Sequence, residues 1–160
     1  MLASKKKEIL EALKPIIEKA YPLMKQYDIK TITAFYNGSG DDFDGADFDF
    51  KTNNDDVLSK ETANSVEEEI SLVVGDFITD YDPTGFQNLG TSGTFSLKLT
   101  ENGLNVQMES ERLIFRVDKV SPAKTVNVFD ITIPEEKIKA YLNGEDILQR
   151  KKTKKPTSFK

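Results

Sequence analysis

Apolar residues recur with helical spacing in two long segments of the chain. In the first, Ser4 to Gln26, they lie three or four positions apart and define one face: Ile9, Leu10, Leu13, Ile16, Ile17, Ala20 and Leu23. Pro15 and Pro22 fall inside this segment, and each removes a backbone donor and clashes with the preceding turn. We therefore expect a helix that bends or breaks near one of them.

The second helical segment runs from about Lys60 to Tyr81. Its apolar stripe consists of Val66, Ile70, Val73, Val74, Phe77, Ile78 and Tyr81. Ser65 and Glu68 have the spacing of a capping box, which leaves a later start of the ordered helix open. The sequence DPTG, residues 82–85, is expected to end it.

Alternating apolar and polar residues predict strands. Ile29 to Tyr36 is rich in β-branched and aromatic residues and predicts the first strand. Further along the chain, Asn102-Gly103 predicts a two-residue type I′ turn between two alternating segments. That turn would pair Leu99 with Val106 and place the apolar residues of both strands on one face.

The last third of the chain predicts two more strands and a short helix. The strands are Leu113 to Val117 and Val126 to Ile133, with a turn around Ser121-Pro122 between them. Pro134 opens the helix, which ends at Asn143-Gly144.

Together these elements predict an α+β fold. We expect a mixed or antiparallel sheet of about five or six strands, packed by the N-terminal and central helices, with a short C-terminal helix. Residues 1–149 should form a single domain, since the sequence contains no repeats and no composition shift that marks a second one.

Charge is distributed unevenly along the chain. The net charge is −5, but the last eleven residues, RKKTKKPTSFK, carry six basic and no acidic side chains. The other 149 residues carry 16 basic and 27 acidic side chains, a net charge of −11. Such an acidic body repels nucleic acid and attracts basic protein surfaces. We expect the tail, Arg150 to Lys160, to be disordered, and contact with nucleic acid to be possible only through it.

The composition also limits location and chemistry. No apolar stretch reaches the roughly 20 residues that cross a bilayer, and the N-terminal sequence lacks the apolar region of a signal peptide, so we expect a cytoplasmic protein without a membrane partner. The chain contains no His and no Cys. Disulfides, thiolate zinc sites and nucleophiles activated by His are therefore excluded.

The densest chemistry lies in FYNGSGDDFDGADFDF, residues 35–50, where five carboxylates occur within nine residues. We expect an acidic loop followed by a short strand in which Phe48 and Phe50 alternate with acids. Like charges at this spacing repel one another unless a cation or a basic partner neutralises them or open water screens them. The candidate partner-binding residues of this segment are Tyr36, Asp41, Asp42, Asp44, Asp47 and Asp49.

A divalent cation is the main alternative to a protein partner for this segment. Aspartate oxygens suit Ca²⁺ or Mg²⁺, and glycines permit the tight turns of such sites. The EF-hand pattern does not fit, because with Gly45 at its sixth position Lys51 stands at the twelfth, where Glu is needed. Another cation-binding arrangement is left open, and no cofactor is predicted.

Enzyme activity is not expected. The one arrangement that would support metal-dependent hydrolysis combines the Asp41–Asp49 segment with Glu109 or Glu111 and with Arg112 or Arg116. It requires the carboxylates of the segment to lie within a few ångströms of Glu109 or Glu111, roughly the separation of side chains that bind one metal ion.

A second glycine-rich segment, GFQNLGTSGTF, leads into the predicted hairpin at residues 85–95. It is either an ordinary connection between a helix and a strand or a recognition loop. In a recognition loop, Phe86, Gln87 and Asn88 would contact a partner, since exposed aromatics with amides suit protein interfaces. Phe86 and Asn88 therefore join the candidate partner-binding residues.

The two glycine-rich segments resemble the two signatures of an uncharacterised family of small acidic proteins from bacteria, phages and mobile elements. One signature is aromatic-x-Gly-x-Gly-Asp-x-x-Gly, and the other is Gly-aromatic-x-Asn followed by Gly-x-Phe. The matching residues are Tyr36, Gly38, Gly40, Asp41, Gly85, Phe86, Asn88, Gly93 and Phe95. Asp42-Phe43 departs from the small residue that often follows the Asp in the family.

The resemblance carries no activity with it and implies a phage or mobile-element setting. From there it implies an accessory or anti-defence role, such as an anti-CRISPR inhibitor. With the acidic body, this favours a non-enzymatic binding protein that engages a basic, nucleic-acid-binding surface of a host protein. The alternative is a divalent-cation-binding domain or a weak carboxylate-metal hydrolase. Partner identity and oligomeric state are left open.

Overall fold

In the part of the chain that the structure describes, a single antiparallel sheet of five strands carries three helices on one face. The computed structural model describes residues 3–39, 42–54, 56–83, 91–116 and 119–143, without the side chains of residues 39, 42 and 112–125. The elements are α1 (Ala3–Gln26), β1 (Ile29–Ser39), β2 (Asp42–Thr52), α2 (Lys60–Tyr81), β3 (Thr91–Thr100), β4 (Gly103–Arg116), β5 (Lys119–Pro134) and α3 (Glu135–Leu142). The strand order is β2-β1-β3-β4-β5. The α+β prediction is confirmed, and the sheet is antiparallel rather than mixed.

Alternation along the strands separates the sheet into two faces. The buried strand residues include Ile32, Ala34, Phe50, Phe95, Leu97, Val106, Met108 and Ile131, and they form one core with the apolar stripes of α1 and α2. The residues between them point the other way, because successive side chains of a strand lie on opposite faces. We call the side packed by helices the covered face and the other side the open face.

Both long helices form where the apolar spacing predicts them. The helix α1 contains Pro15 and Pro22 and is nevertheless unbroken from Ala3 to Gln26, so of the predicted bend or break the break does not occur. Both prolines are exposed, so water can satisfy the backbone groups that they leave free. The helix α2 begins at Lys60, capped by Ser59, whose side chain accepts a hydrogen bond from the Thr62 backbone N–H, and not at the alternative cap Ser65.

The aspartate-rich segment is a β-hairpin and not the expected loop. β1 continues through Asn37 and Gly38 to Ser39, and the chain returns from Asp42 as β2, paired with β1 along its length. Asn37 pairs with Gly45 and Gly38 with Phe43, which leaves Asp44 as an extra residue in a β-bulge. Gly45 has a φ of +127°, a conformation that glycine adopts without strain.

The β3–β4 hairpin has a different register from the predicted one. Thr100 pairs with Gly103, so the turn residues are Glu101 and Asn102, and Leu99 faces Leu104 rather than Val106. Asn102 does not have the positive φ that a type I′ turn needs. The Thr100 hydroxyl instead stabilises the turn by accepting from the Asn102 N–H at 3.2 Å and donating to the Gly103 carbonyl at 3.2 Å. A shift of two residues keeps the apolar side chains on the covered face.

The two strands predicted from the end of the chain are longer than expected. β4 is continuous from Gly103 to Arg116, and β5 begins at Lys119 and includes Ser121-Pro122. The predicted turn at Ser121-Pro122 is therefore wrong, since Leu113 pairs with Pro122 and Arg116 with Lys119. As β5 is an edge strand, a proline in it breaks no pairing on its outer side.

None of the helices in the described ranges has the length and apolar character needed to span a membrane.

The open face as candidate functional site

The open face of the sheet is polar, and none of the described helices lies over it. Its residues on β1, β3 and β4 are mostly hydroxyl, amide and carboxylate side chains: Thr31, Thr33, Asn37, Ser92, Thr94, Ser96, Asn105, Gln107, Glu109 and Glu111. β2 adds Asp47, Asp49 and Lys51 at one edge. A polar face of this kind is stable in water without a cover.

Phe35 is the exception on this polar face. It is 51% exposed, although Ala34 and Tyr36 on either side of it are buried. In the sheet Phe35 stands between Asp47 of β2 and Thr94 of β3, and Glu109 of β4 follows Thr94 in the same row. The side chains of a row lie one strand spacing apart, about 4.8 Å. An exposed aromatic ring is therefore flanked by a carboxylate on one side and by a hydroxyl and a second carboxylate on the other.

A shallow groove of about 380 Å³ surrounds this row. Its lining on the open face consists of Phe35, Asn37, Asp47, Ser92, Thr94, Glu109 and Glu111. A second, smaller depression on the β2 side of Phe35 is lined by Asn37, Asp44 and Asp47. Carboxylates, amides and hydroxyls all accept hydrogen bonds, so the groove suits a partner that brings donors, such as Lys or Arg side chains.

The charge of the open face changes along the strands. The end near Phe35 and Asn37 carries Asp47, Glu109 and Glu111, whereas the row Lys51, Thr31, Lys98 carries two lysines. From Phe35 to Thr31 the distance along the strand is about 13 Å, greater than the screening length at physiological salt. The lysines of the Thr31 row therefore lie outside the screened reach of Asp47 and Glu109. We call the end around Phe35, Asp47 and Glu109 the acidic end.

Tyr36, a predicted partner-binding residue, is instead part of the core. It is 2% exposed, because its place in β1 puts its side chain on the covered face. Its hydroxyl donates to the Asp82 carboxylate at 2.7 Å and also lies 3.2 Å from the carbonyl oxygen of Glu109. The Ser110 hydroxyl donates to the same Asp82 oxygen at 2.9 Å. Burial, together with the Asp82 carboxylate, raises the pKa of Tyr36 far above its usual value.

Gly93 lets Tyr36 occupy this position. The two residues are direct neighbours on β1 and β3. A Cβ atom on Gly93 would overlap the carbonyl oxygen of Glu109 and lie 2.5 Å from the Tyr36 hydroxyl. Tyr36 of the first glycine-rich segment and Gly93 of the second are thus in contact on the covered face, in the pair next to Phe35 and Thr94. This contact gives Tyr36 and Gly93 a structural role.

The other predicted partner-binding residues differ in where they lie. Asp44 and Asp47 are exposed, and Asp49 is half-buried. Asp42 lies in β2 as backbone, whereas Asp41, Phe86 and Asn88 fall outside the described residues, as does the tail Arg150 to Lys160. The sheet therefore brings Asp47 and Asp49 to the open face, on the edge strand, and leaves Asp44 at the bulge.

The carboxylates of the open face do not converge on one point. β1 and β3 separate Asp47 from Glu109, so their backbones are about 14 Å apart at three strand spacings. Within the described ranges, no group of three or more acidic side chains is close enough together to hold a metal ion. The hydrolytic arrangement requires contact within a few ångströms, and the described part of this face does not provide it.

The β4–β5 side of the open face is ordered by a side-chain network. The Asn105 amide donates to Asp130 Oδ1 at 2.8 Å and lies 3.1 Å from the Thr132 hydroxyl. The Gln107 amide donates to Asn105 Oδ1 at 2.9 Å. These bonds join Asn105 to β5 and Gln107 to Asn105, whereas in the described part of the chain no side-chain hydrogen bond engages Thr94. In the described residues the network does not extend to the groove around Phe35.

Phe35 is not among the site residues predicted from the sequence, although the pattern contained the signal. In IKTITAFY the buried residues Ile32, Ala34 and Tyr36 alternate, which places Phe35 on the opposite face. Its neighbours Thr94 and Glu109 follow only from the pairing of β1 with β3 and of β3 with β4.

Comparison of the chain with protein-family models, with curated proteins and with solved structures finds no match. The resemblance of the two glycine-rich segments therefore stays a prediction.

Proposed function

We propose that the chain is a non-enzymatic binding protein that engages a basic surface of another protein through the acidic end of its open face. The exposed ring of Phe35 in the middle of the groove is the observation that carries the proposal. Aromatic side chains that are surrounded by polar groups are the usual anchors of protein interfaces, because the polar rim excludes water from the anchor once the partner is bound.

Charge supports a basic partner. The body of the chain has a net charge of −11 over residues 1–149, and Asp47 and Glu109 flank the aromatic anchor. Complementary charges accelerate encounter and disfavour partners of the same sign. Lys and Arg side chains provide donors for the carboxylates, and a guanidinium group also stacks on an aromatic ring.

The partner class follows from the same chemistry and from the resemblance. Surfaces rich in Lys and Arg are typical of nucleic-acid-binding proteins. An acidic protein can occupy such a surface in place of the phosphate backbone. The resemblance to small acidic proteins of phages and mobile elements supports a host protein as the target. In this proposal the chain is an accessory or anti-defence inhibitor.

A matched pair of variants tests the proposal. Phe35→Ser removes the anchor, and Leu72→Ser removes a similarly exposed apolar side chain from α2, where Leu72 is 73% exposed. Each immobilised variant is incubated with bacterial lysate, and the bound proteins are quantified by mass spectrometry. We expect a basic protein that the parent and Leu72→Ser retain and that Phe35→Ser releases. If no basic protein distinguishes the two variants, the proposal is wrong.

A second pair tests the charge. Asp47→Asn alters the acidic end, and Asp80→Asn removes the same charge from exposed α2. The association rate with the captured protein should fall for Asp47→Asn, most strongly at low salt, and change little for Asp80→Asn.

A further inference from the structure

The edge strand β2 is half covered. Along its C-terminal half, the segment that follows the turn pairs with it: the Thr52 N–H donates to the Asp56 carbonyl at 2.9 Å, and the Leu58 N–H donates to the Phe50 carbonyl at 3.4 Å. Val57 thereby forms an isolated antiparallel bridge with Lys51. No such segment from the described residues continues along Ala46 to Asp49.

These bonds reveal which backbone groups of β2 point outward. The Phe50 carbonyl and the Thr52 N–H point away from β1, and in a strand the direction alternates from residue to residue. From Gly45 to Thr52 β2 has no bulge of its own, so the backbone groups of Ala46 and Phe48 also point outward. Each offers one donor and one acceptor, for which the described residues supply no hydrogen bond.

The side chains beside this open edge are arranged by face. Asp47 and Asp49 lie on the open face, whereas Ala46 and Phe48 pack against the core on the covered face. A strand added at the normal spacing of about 4.8 Å would place its own side chains directly opposite these residues. Basic side chains would then meet Asp47 and Asp49, and apolar side chains would meet Phe48.

We propose that β2 accepts an extended basic segment of the partner as a sixth strand, along Ala46 to Asp49. This inference rests on the proposed function and specifies its partner: a segment in which Lys or Arg alternates with apolar residues. The bulge at Asp44 ends the regular edge on one side, and the segment 56–58 ends it on the other.

The same charges argue against a second copy of this chain as the occupant. Pairing two β2 strands edge to edge would bring aspartates beside aspartates, and like charges opposite one another destabilise a pair of strands. Charged residues on an edge strand commonly prevent such self-association. The same aspartates that would repel a second copy of the chain attract a basic segment.

Two peptides of about eight residues provide the test, one alternating lysine with valine and the other carrying the same residues in two blocks. Their net charges are equal, so an attraction that depends on net charge alone does not distinguish them, and clustering of the lysines would favour the block peptide. We expect the alternating peptide to bind at least about tenfold more tightly, because only its pattern puts every lysine on one face.

Amide hydrogen exchange of the parent protein locates the bound peptide. Binding of the alternating peptide should slow exchange of the outward N–H groups of Ala46 and Phe48. The N–H groups of Asp47 and Asp49 already point toward β1, so their exchange should change little.

Substitution of Ala46 gives an independent measurement. Ala46→Pro removes an outward donor at a position where an edge strand tolerates proline, whereas Ala46→Ser keeps the donor. Ala46→Pro should weaken binding of the alternating peptide about tenfold, and Ala46→Ser should not. If Ala46→Pro does not fold, the exchange measurement on the parent protein decides.

The outcomes separate this inference from the proposed function. Equal binding of both peptides without slowed exchange at Ala46 and Phe48 overturns the added strand and leaves a charge-driven interface intact. Failure of both peptides to bind overturns the added strand and counts against a basic partner as well. Slow exchange of these two amides in the free protein, whether from a second copy or from residues 150–160, also overturns it.

Discussion

The two faces of the sheet are made by the same strands and differ in almost every other respect. On the covered face, the alternate residues are mostly apolar and buried under the helices, and a polar cluster of Tyr36 with Asp82 and Ser110 is hydrogen-bonded internally. On the open face, the alternate residues are polar and exposed around Phe35. Substitutions on the covered face should therefore change stability, whereas those on the acidic end of the open face should change binding.

The largest expected effect on stability comes from the covered face. Gly93→Ala would force a Cβ atom against the Glu109 carbonyl and the Tyr36 hydroxyl, and we expect a loss of about 3 kcal/mol in the free energy of unfolding. Ser92→Ala, on the open face of the same strand, should change it by less than about 0.5 kcal/mol. Urea denaturation of both variants measures the contrast. Similar losses in the two would contradict the division into faces.

Removing the Tyr36 hydroxyl should have the next largest effect. Tyr36→Phe deprives the buried Asp82 carboxylate of a donor at 2.7 Å, and we expect a loss of about 2 kcal/mol. The control is Tyr81→Phe, which removes an exposed hydroxyl bonded to Glu8 at 3.0 Å and should have little effect. A Tyr36→Phe protein as stable as the parent would show that the buried hydrogen bonds contribute nothing net.

The raised pKa of Tyr36 predicts a dependence of stability on alkaline pH. In the folded protein the Tyr36 hydroxyl keeps its proton above pH 10, where an unfolded tyrosine loses it. Its contribution to the free energy of unfolding is therefore full below about pH 10 and falls as the pH rises further. Among the five tyrosines, Tyr36 should ionise only as the chain unfolds. Ultraviolet absorbance of tyrosinate, recorded with circular dichroism, checks this. In Tyr36→Phe the alkaline loss of stability should be smaller.

The smallest effect on stability is expected on the open face. The double variant Asp47→Asn and Asp49→Asn removes two carboxylates from the edge strand, and the free energy of unfolding should change by less than about 0.5 kcal/mol. Thermal unfolding monitored by circular dichroism measures it. A large destabilisation would mean that these aspartates hold the hairpin together and would remove them from the candidate interface.

The covered face was predictable from sequence because burial of one face requires apolar residues at regular intervals along each helix and strand. The helical stripe from Val66 to Tyr81 predicted α2 and its end, although Ser65 left a later start than Lys60 open. The apolar residues that alternate with polar ones on β3 and β4, Phe95 with Leu97 and Val106 with Met108, were assigned to the correct face. The register of the β3–β4 hairpin was not predictable in this way. A shift of two residues buries the same face, and the Thr100 side chain selects between the two registers.

The open face was harder to predict because polar residues leave few constraints in a sequence. Glycines and aspartates between Asn37 and Asp49 are typical of loops, yet β1 and β2 pair through them because Phe43, Ala46 and Phe48 still reach the core. The row of Asp47, Phe35, Thr94 and Glu109 joins four strands from two separate hairpins. Which residues are neighbours in this row depends on the strand order, and no local sequence pattern predicts that order.

The bulge at Asp44 gives the hairpin a spare residue. Phe43 faces Gly38 and Gly45 faces Asn37, so the two flanking residues already occupy consecutive rungs of the ladder. A chain one residue shorter, without Asp44, would therefore keep each of these pairs and the alternation on both sides of them. The hairpin can lose or regain a carboxylate at this point through a change in length that keeps the pairing of β1 with β2.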